Sequence, residues 1–245
     1  MKQQIDLIKA TASMAKSSSK RYKAGFLIAP DFFHADIMGA HTVLGTQPNT
    51  EIHLLWKKKE MIIGSPYFPT MPTTTFDECP EALDVLVVGL VAPEVMKDPE
   101  VIDFIKKQGE RGCRMIGVCG GVLMLGAAGL LEGRRATSNQ NCTEDLASFG
   151  AIPVFTTEVV VDGALYTAGP GHGCIEAALM VLADIRGEAA ASLSELSLEY
   201  DPHPPFGGGD PAQASPEEIK LVRLVLGSTF KKCAKYAREY YEAHR

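Results

Sequence analysis

The sequence predicts an α/β fold: a doubly wound, mostly parallel sheet with helices on both faces. Three observations predict it. Continuous apolar runs of strand length recur along the chain, amphipathic or small-residue segments follow most of them, and the connectors between are short. Strand and helix alternating in this way make βαβ units, whose crossovers lay helices over a parallel sheet.

The elements can be read in order. Residues 24–29 (AGFLIA) form a buried strand that stops at Pro30. From Asp36, the run DIMGAHTVLG spaces its apolar residues as a helix does, with Asp36 where an N-cap would stand. A second strand follows at 51–56 (EIHLLW). The stretch 64–75 (GSPYFPTMPTTT) is too broken by proline for a helix and suits an extended hairpin or loop. Residues 83–88 (LDVLVV) are a third strand, and 99–109 a helix opened by Pro99 at its first position. Residues 114–118 (RMIGV) are a further strand, and 120–131 a small-residue helix halted by Gly133. Segments 153–161 and 165–168 flank Asp162-Gly163, a hairpin signal that adds an antiparallel pair. A buried helix is expected at 173–182, a Pro- and Gly-rich surface loop at 201–214, and a long amphipathic helix at 217–242.

A chain of 245 residues can bury a core without staples, and one domain over 24–245 after a Lys- and Ser-rich flexible extension at 1–23 is the simplest division. With 46% hydrophobic and 22% charged residues, the composition is that of an ordinary globular protein. A net charge of -6 and a pI near 5.6 supply no basic surface for nucleic acid or anionic membranes. Small-molecule substrates remain. The six cysteines show no C-x-x-C pair or metal-finger spacing and read as intracellular thiols. No run reaches the roughly 18 apolar residues of a membrane span, and the N-terminus lacks a signal-peptide core, so a cytoplasmic location is expected.

The informative segment is Gly117-Val118-Cys119-Gly120-Gly121, where a cysteine stands between a buried strand and a glycine-rich helix start. A nucleophile there is held in a sharp turn above the carboxyl ends of the strands, where open α/β sheets bind ligands. The helix N-terminus offers N–H groups and partial positive charge, which favour thiolate over thiol. Gly120 and Gly121 suit close backbone approach, although glycines here also serve helix packing.

The run 118–139 (VCGGVLMLGAAGLLEGRRATSN) resembles the nucleophile-elbow block of the DJ-1/PfpI superfamily, in its isocyanide (isonitrile) hydratase branch. Further matches are His53-Leu54-Leu55-Trp56 and the late run 198–206 (LEYDPHPPF), so the resemblance extends from about Ala24 to the C-terminus. It implies a flavodoxin-like sandwich, a catalytic Cys119, no cofactor and a homodimer; separately, no H-x-x-x-H pair or carboxylate cluster suggests a metal. It also implies that Asp36 lies beside the nucleophile as a proton donor and acceptor, its proton held more firmly by the neighbouring negative charge.

Departures from the family pattern bear on chemistry. The threonine that usually follows the nucleophile is Gly120, and the closing His-Trp pair is Asn139-Gln140, so the usual Cys-His pairing is missing. The strand end Gly89-Leu90-Val91-Ala92 replaces a Gly-Gly-x-Gly whose N–H groups help shape an anion site. His172, ahead of the buried helix, reads either as a cap or as a replacement acid–base group. Gly120, Gly89, Leu90, His172 and Asn139 are therefore the expected substrate- or anion-binding positions. Isocyanide hydration through a Cys119 thioimidate is the leading expectation. The alternatives are a glyoxalase- or isomerase-like reaction on another small electrophile, and a non-catalytic redox sensor working through Cys119.

Overall fold

The computed structural model describes residues 21–245. The expected extension over 1–23 lies outside the described residues up to position 20. Tyr22 and Lys23 already belong to the sheet, paired with Thr50 and Glu51. In chain order, β1 (Tyr22–Leu27) is followed by α1 (Ala35–Gly45), β2 (Thr50–Leu55) and a small hairpin of β3 (Ile62–Gly64) with β4 (Phe68–Thr70). Next come β5 (Val85–Val88), a 3-10 turn at Pro93–Lys97, α2 (Pro99–Glu110) and β6 (Arg114–Val118), then a 3-10 turn at Cys119–Gly121 that runs into α3 (Val122–Ala127). The rest comprises β7 (Arg135–Ala136), a 3-10 segment at Glu144–Phe149, β8 (Ile152–Pro153), β9 (Val160–Asp162), β10 (Leu165–Ala168), α4 (Gly173–Arg186), α5 (Glu188–Ser197) and α6 (Pro216–His244).

The main sheet runs β2-β1-β5-β6-β10-β9, parallel throughout except that β9 is antiparallel to β10. With the β3–β4 hairpin and the parallel β7–β8 pair set aside, this is the 2-1-3-4-5 order of flavodoxin-like sheets with an edge strand added. The chain reverses direction across the sheet between β1 and β5, which opens a crevice at their carboxyl ends. β5 is buried at all four positions, as a central strand covered on both faces must be. Helices α1, α4 and α5 pack together as one layer, and α2, α3 and α6 as the other.

Four elements differ from the expectation for local reasons. α3 ends at Ala127 rather than near 131, because Gly129 takes a left-handed conformation (φ 75°). The N–H groups of Leu130 and Gly129 then close on the carbonyls of Leu125 and Gly126, which satisfies the end of the helix. The strand expected over 153–161 survives only at its two ends, β8 and β9, while the Asp162-Gly163 turn forms as read. α5 is an additional helix in an alanine-rich run, set off from α4 by Gly187 at φ 90°. α6 is longer than expected, and Ser215 and Glu218 close a reciprocal capping box ahead of Pro216.

α6 divides in two. Its second half buries Phe230, Cys233, Ala234, Ala237, Tyr240 and Tyr241, a three-and-four spacing that faces the core. In its first half Leu221, Leu224 and Val225 are 62%, 79% and 67% exposed.

Gly121 joins the elbow to β5. A Cβ there would lie 2.2 Å from the Val88 carbonyl oxygen, and backbone cannot retreat as a side chain can. Gly121→Ala is therefore expected to destabilise the fold by roughly 1–3 kcal/mol or more, read as a lowered urea midpoint at unchanged slope.

Candidate active site

Four strand ends supply the site: α1 after β1, the 89–90 segment after β5, the elbow after β6, and the 169–172 loop after β10. Cys119 is 2% exposed and has φ 55°, a left-handed conformation uncommon for a side-chain-bearing residue. The strain is held by its surroundings. Ser138 Oγ donates to the Cys119 carbonyl at 2.5 Å, and the Gly121 backbone lies against the end of β5. The Asn139 side-chain amide donates to Cys119 Sγ at 3.6 Å, and the Gly120 N–H also supports the sulfur.

Asp36 is fully buried. It does not cap α1, as local sequence alone suggests: His34 holds the N-cap position, and Asp36 lies in the first turn with its carboxyl turned into the crevice. The Gly171 N–H donates to Oδ1 and the Leu90 N–H to Oδ2, both at 3.0 Å. Gly89 permits this approach, since a Cβ there would meet Asp36 Cβ at 2.7 Å. Thus the structure places Gly89 and Leu90 against the carboxyl. Behind it, α1 and α4 come close at Gly39, where a Cβ would lie 2.7 Å from Cys174 Sγ.

The two central groups perturb one another. Burial pushes the Asp36 carboxyl up to about 6, against the downward pull of hydrogen bonds from Gly171, Leu90 and the Cys119 thiol and of the nearby His34. The Cys119 thiol is pushed well above its ordinary value by burial, by the Asp36 charge and by Cys142. The expected preference for thiolate is thus reversed. The Gly120 and Asn139 donors act in the anticipated direction, but complete burial beside a carboxyl outweighs them. At neutral pH the resting pair is a thiol beside a carboxylate.

Gly120 explains its own lack of a side chain. A Cβ would stand 2.5 Å from Leu90 Cδ1 and 3.2 Å from Phe230 Cε1, so these two apolar groups occupy the space beside it. On another side, Ser138 and Asn139 line a cavity of about 540 Å³ together with Thr143, Phe155, His172 and Ala212. His172 is exposed at the N-cap position of α4, its side chain making no cap hydrogen bond. The structure therefore brings Cys119, Asp36, Gly120 and Asn139 together, with Leu90 and Gly89 bracing Asp36 and His172 at the cavity wall.

Sequence reasoning did not single out Ser138, Gly171 or Phe230. Ser138 sits in the same short run as Asn139, which was a usable hint; Phe230 is 111 positions from Cys119 in the sequence and carries no local signal. Arg134 and Arg135 are tied through Asp162 to the β9–β10 turn, by side chain and by backbone. Among the described residues, no cluster of three or more His, Cys, Asp or Glu could hold a metal ion, and no helix is long and apolar enough to cross a membrane.

The sequence model of the DJ-1/PfpI family matches residues 22–183. The chain belongs to the DJ-1/PfpI family. It is 40% identical to the isonitrile hydratase of Pseudomonas putida over 209 residues, which cover 84% of this chain and 91% of that protein. It is 30% identical to the deglycase PfpI of Pyrococcus furiosus over 141 residues, 56% of this chain and 84% of that one. Among solved structures, a ThiJ/PfpI family protein of Pseudomonas syringae superposes with a TM-score of 0.84 at 30% identity, covering 89% of this chain and 91% of the other. Drosophila melanogaster DJ-1beta shares the fold, at a TM-score of 0.64 and 20% identity over 75% of this chain and all of the other.

The raised Asp36 carboxyl links stability to pH. Its native value lies above the unfolded one, so its contribution is most favourable below about pH 4 and is lost as pH rises through about 6. The stability difference between wild type and Asp36→Asn should therefore move by about 2 kcal/mol in favour of the variant between pH 4 and pH 7.5. Urea unfolding at both pH values measures this shift independently of any constant cost of the lost hydrogen bond.

Proposed function

We propose that the chain hydrates isocyanides to N-substituted formamides, with Cys119 as nucleophile and Asp36 as the group that carries the proton. The observation that supports this most directly is the buried Asp36–Cys119 pair, in which a carboxyl near pKa 6 adjoins a thiol held protonated. A nucleophile and a proton carrier in contact, both shielded from bulk water, suit a substrate whose one carbon must receive both sulfur and hydrogen.

As Sγ attacks the terminal carbon of the isocyanide, the Asp36 carboxylate takes the thiol proton and delivers it to that carbon, giving a thioimidate. Water then adds to the thioimidate carbon, its protons pass to nitrogen and, by way of Asp36, to the departing sulfur, and the C–S bond breaks. The products are the formamide and the Cys119 thiol, so the net change is the addition of one water. The Gly120 N–H and the Asn139 amide support charge on sulfur; Leu90 and Gly89 serve by aiming the carboxyl; His172 faces the organic part of the substrate from the cavity wall. No step calls for a cofactor.

The reading is favoured over peroxide sensing because a sensor depends on a thiolate at neutral pH, whereas this thiol is held protonated. Six free cysteines fit a reducing cytoplasm. The exposed apolar side chains of the first half of α6 support assembly as a homodimer through that segment. Sedimentation equilibrium should give twice the chain mass for wild type and a shift toward monomer for Leu224→Glu; a wild-type monomer at micromolar concentration would rule the assembly out.

With an aryl or alkyl isocyanide as substrate, formamide production should fall by about a hundredfold or more in Asp36→Asn and be abolished in Cys119→Ala. In the wild type, kcat/KM should decline as pH drops below about 6, where Asp36 becomes protonated and can no longer accept the thiol proton. Folded protein that produces no formamide would overturn the assignment.

A further inference from the structure

The orientation of the Asn139 amide is decided by its neighbours. Asn139 Oδ1 accepts from the backbone N–H of Asn141 at 2.9 Å and from the Asn141 side-chain amide at 2.8 Å. A backbone N–H can only donate, so the Asn139 atom that it meets must be the oxygen, and the NH₂ group is left to face Cys119 Sγ. Flipping the Asn139 amide would set donor against donor on one side and a carbonyl oxygen against sulfur on the other.

The rest of the turn fixes the frame in which this happens. The N–H groups of Cys142 and Thr143 both donate to the Asn139 carbonyl at 2.9 Å, and Thr143 Oγ1 donates to the same oxygen at 3.0 Å. The Asn141 side chain is itself held at a cost, because its Oδ1 is buried with no hydrogen-bond partner. Orientation toward Asn139 is thus retained although it leaves an acceptor unsatisfied.

We propose that Asn141 is a positioning residue for the nucleophile: its side-chain amide, added to its backbone N–H, holds the Asn139 amide in the orientation that presents an N–H to Cys119 Sγ and favours its ionised form, and the side-chain donor is needed for that hold. It touches neither the sulfur nor the substrate. The inference rests on Cys119 being the nucleophile, but not on which electrophile it attacks.

The test reads ionisation of the thiol rather than turnover. Alkylation of Cys119 by iodoacetamide is followed from pH 6 to 10.5, with mass spectrometry locating the modified residue, in wild type, Asn141→Leu, Asn139→Leu and the double variant. Asn141→Leu should lower the Cys119 alkylation rate at fixed pH by about three- to tenfold, displacing the profile upward by about half to one pH unit. Asn139→Leu should do at least as much, and the double variant no more than Asn139→Leu alone, because Asn141 acts through Asn139. If Asn141→Leu does not fold, Asn141→Ser, which keeps a shorter donor, should shift the profile in the same direction by less. An unshifted profile in a folded Asn141 variant, or effects that add in the double variant, would overturn the proposal. Isocyanide turnover by the same wild-type preparation is scored separately, so that failure of the hydratase reading leaves the alkylation result interpretable.

Discussion

The site depends on a thiol and a carboxyl buried against each other at the carboxyl ends of a parallel sheet. Neither ionises there without cost: burial raises both, and the Asp36 charge raises the thiol further, while the thiol's hydrogen bond favours the carboxylate. Such a pair tolerates one negative charge more readily than two. In the proposed reaction that restriction couples the two groups, since sulfur gains negative character most readily as the carboxylate gains a proton. The architecture around the pair serves to hold this contact.

Three kinds of force hold it. The parallel sheet places the ends of β1, β5, β6 and β10 side by side, so loops far apart in sequence converge in the crevice created by the reversal between β1 and β5. Hydrogen bonds from Leu90 and Gly171 occupy both oxygens of Asp36, which leaves the carboxyl little freedom to rotate. Close backbone approach, at Gly89 for the carboxyl and Gly121 for the elbow, then sets distances that any side chain would enlarge. The left-handed Cys119 is the residual strain, countered by the Ser138 hydroxyl on its carbonyl.

What could be read from sequence follows the range over which each feature is determined. The buried strands at 83–88 and 114–118 and the elbow glycines are local patterns, and they formed close to where they were expected. Helix ends were less legible. The end of α3 was set by Gly129 rather than Gly133, although both glycines adopt positive φ, because only the earlier one lies where Leu130 can reach back to the Leu125 carbonyl. The segment between β8 and β9 has apolar residues suited to a strand, yet Phe155 is 73% exposed and its neighbours line a cavity instead of extending the sheet. Asp36 was legible as a candidate only through resemblance, for in isolation it is an acid at the start of a helix. The ionisation state of Cys119 is not legible in sequence, since a helix N-terminus is a local feature, whereas complete burial beside a carboxyl is a tertiary property.

The substitutions that set this chain apart from its family pattern form a connected set once they are seen in space. Gly120 stands where the resemblance implies a hydroxyl-bearing residue, and the Leu90 side chain takes the volume that a side chain at 120 would need, with Phe230 of α6 beside it. Asn139 in place of a histidine keeps a donor toward sulfur but gives up a titratable group. An amide can support a thiolate and cannot exchange a proton with it at neutral pH, so in the proposed reaction proton movement at the sulfur falls to Asp36. The same Leu90 that fills the wall also donates its N–H to Asp36 Oδ2, so apolar packing on one side of Cys119 and the aim of the carboxyl on the other are set by a single residue. A change at position 90 would therefore alter the packing beside Gly120 and the aim of the Asp36 carboxyl together.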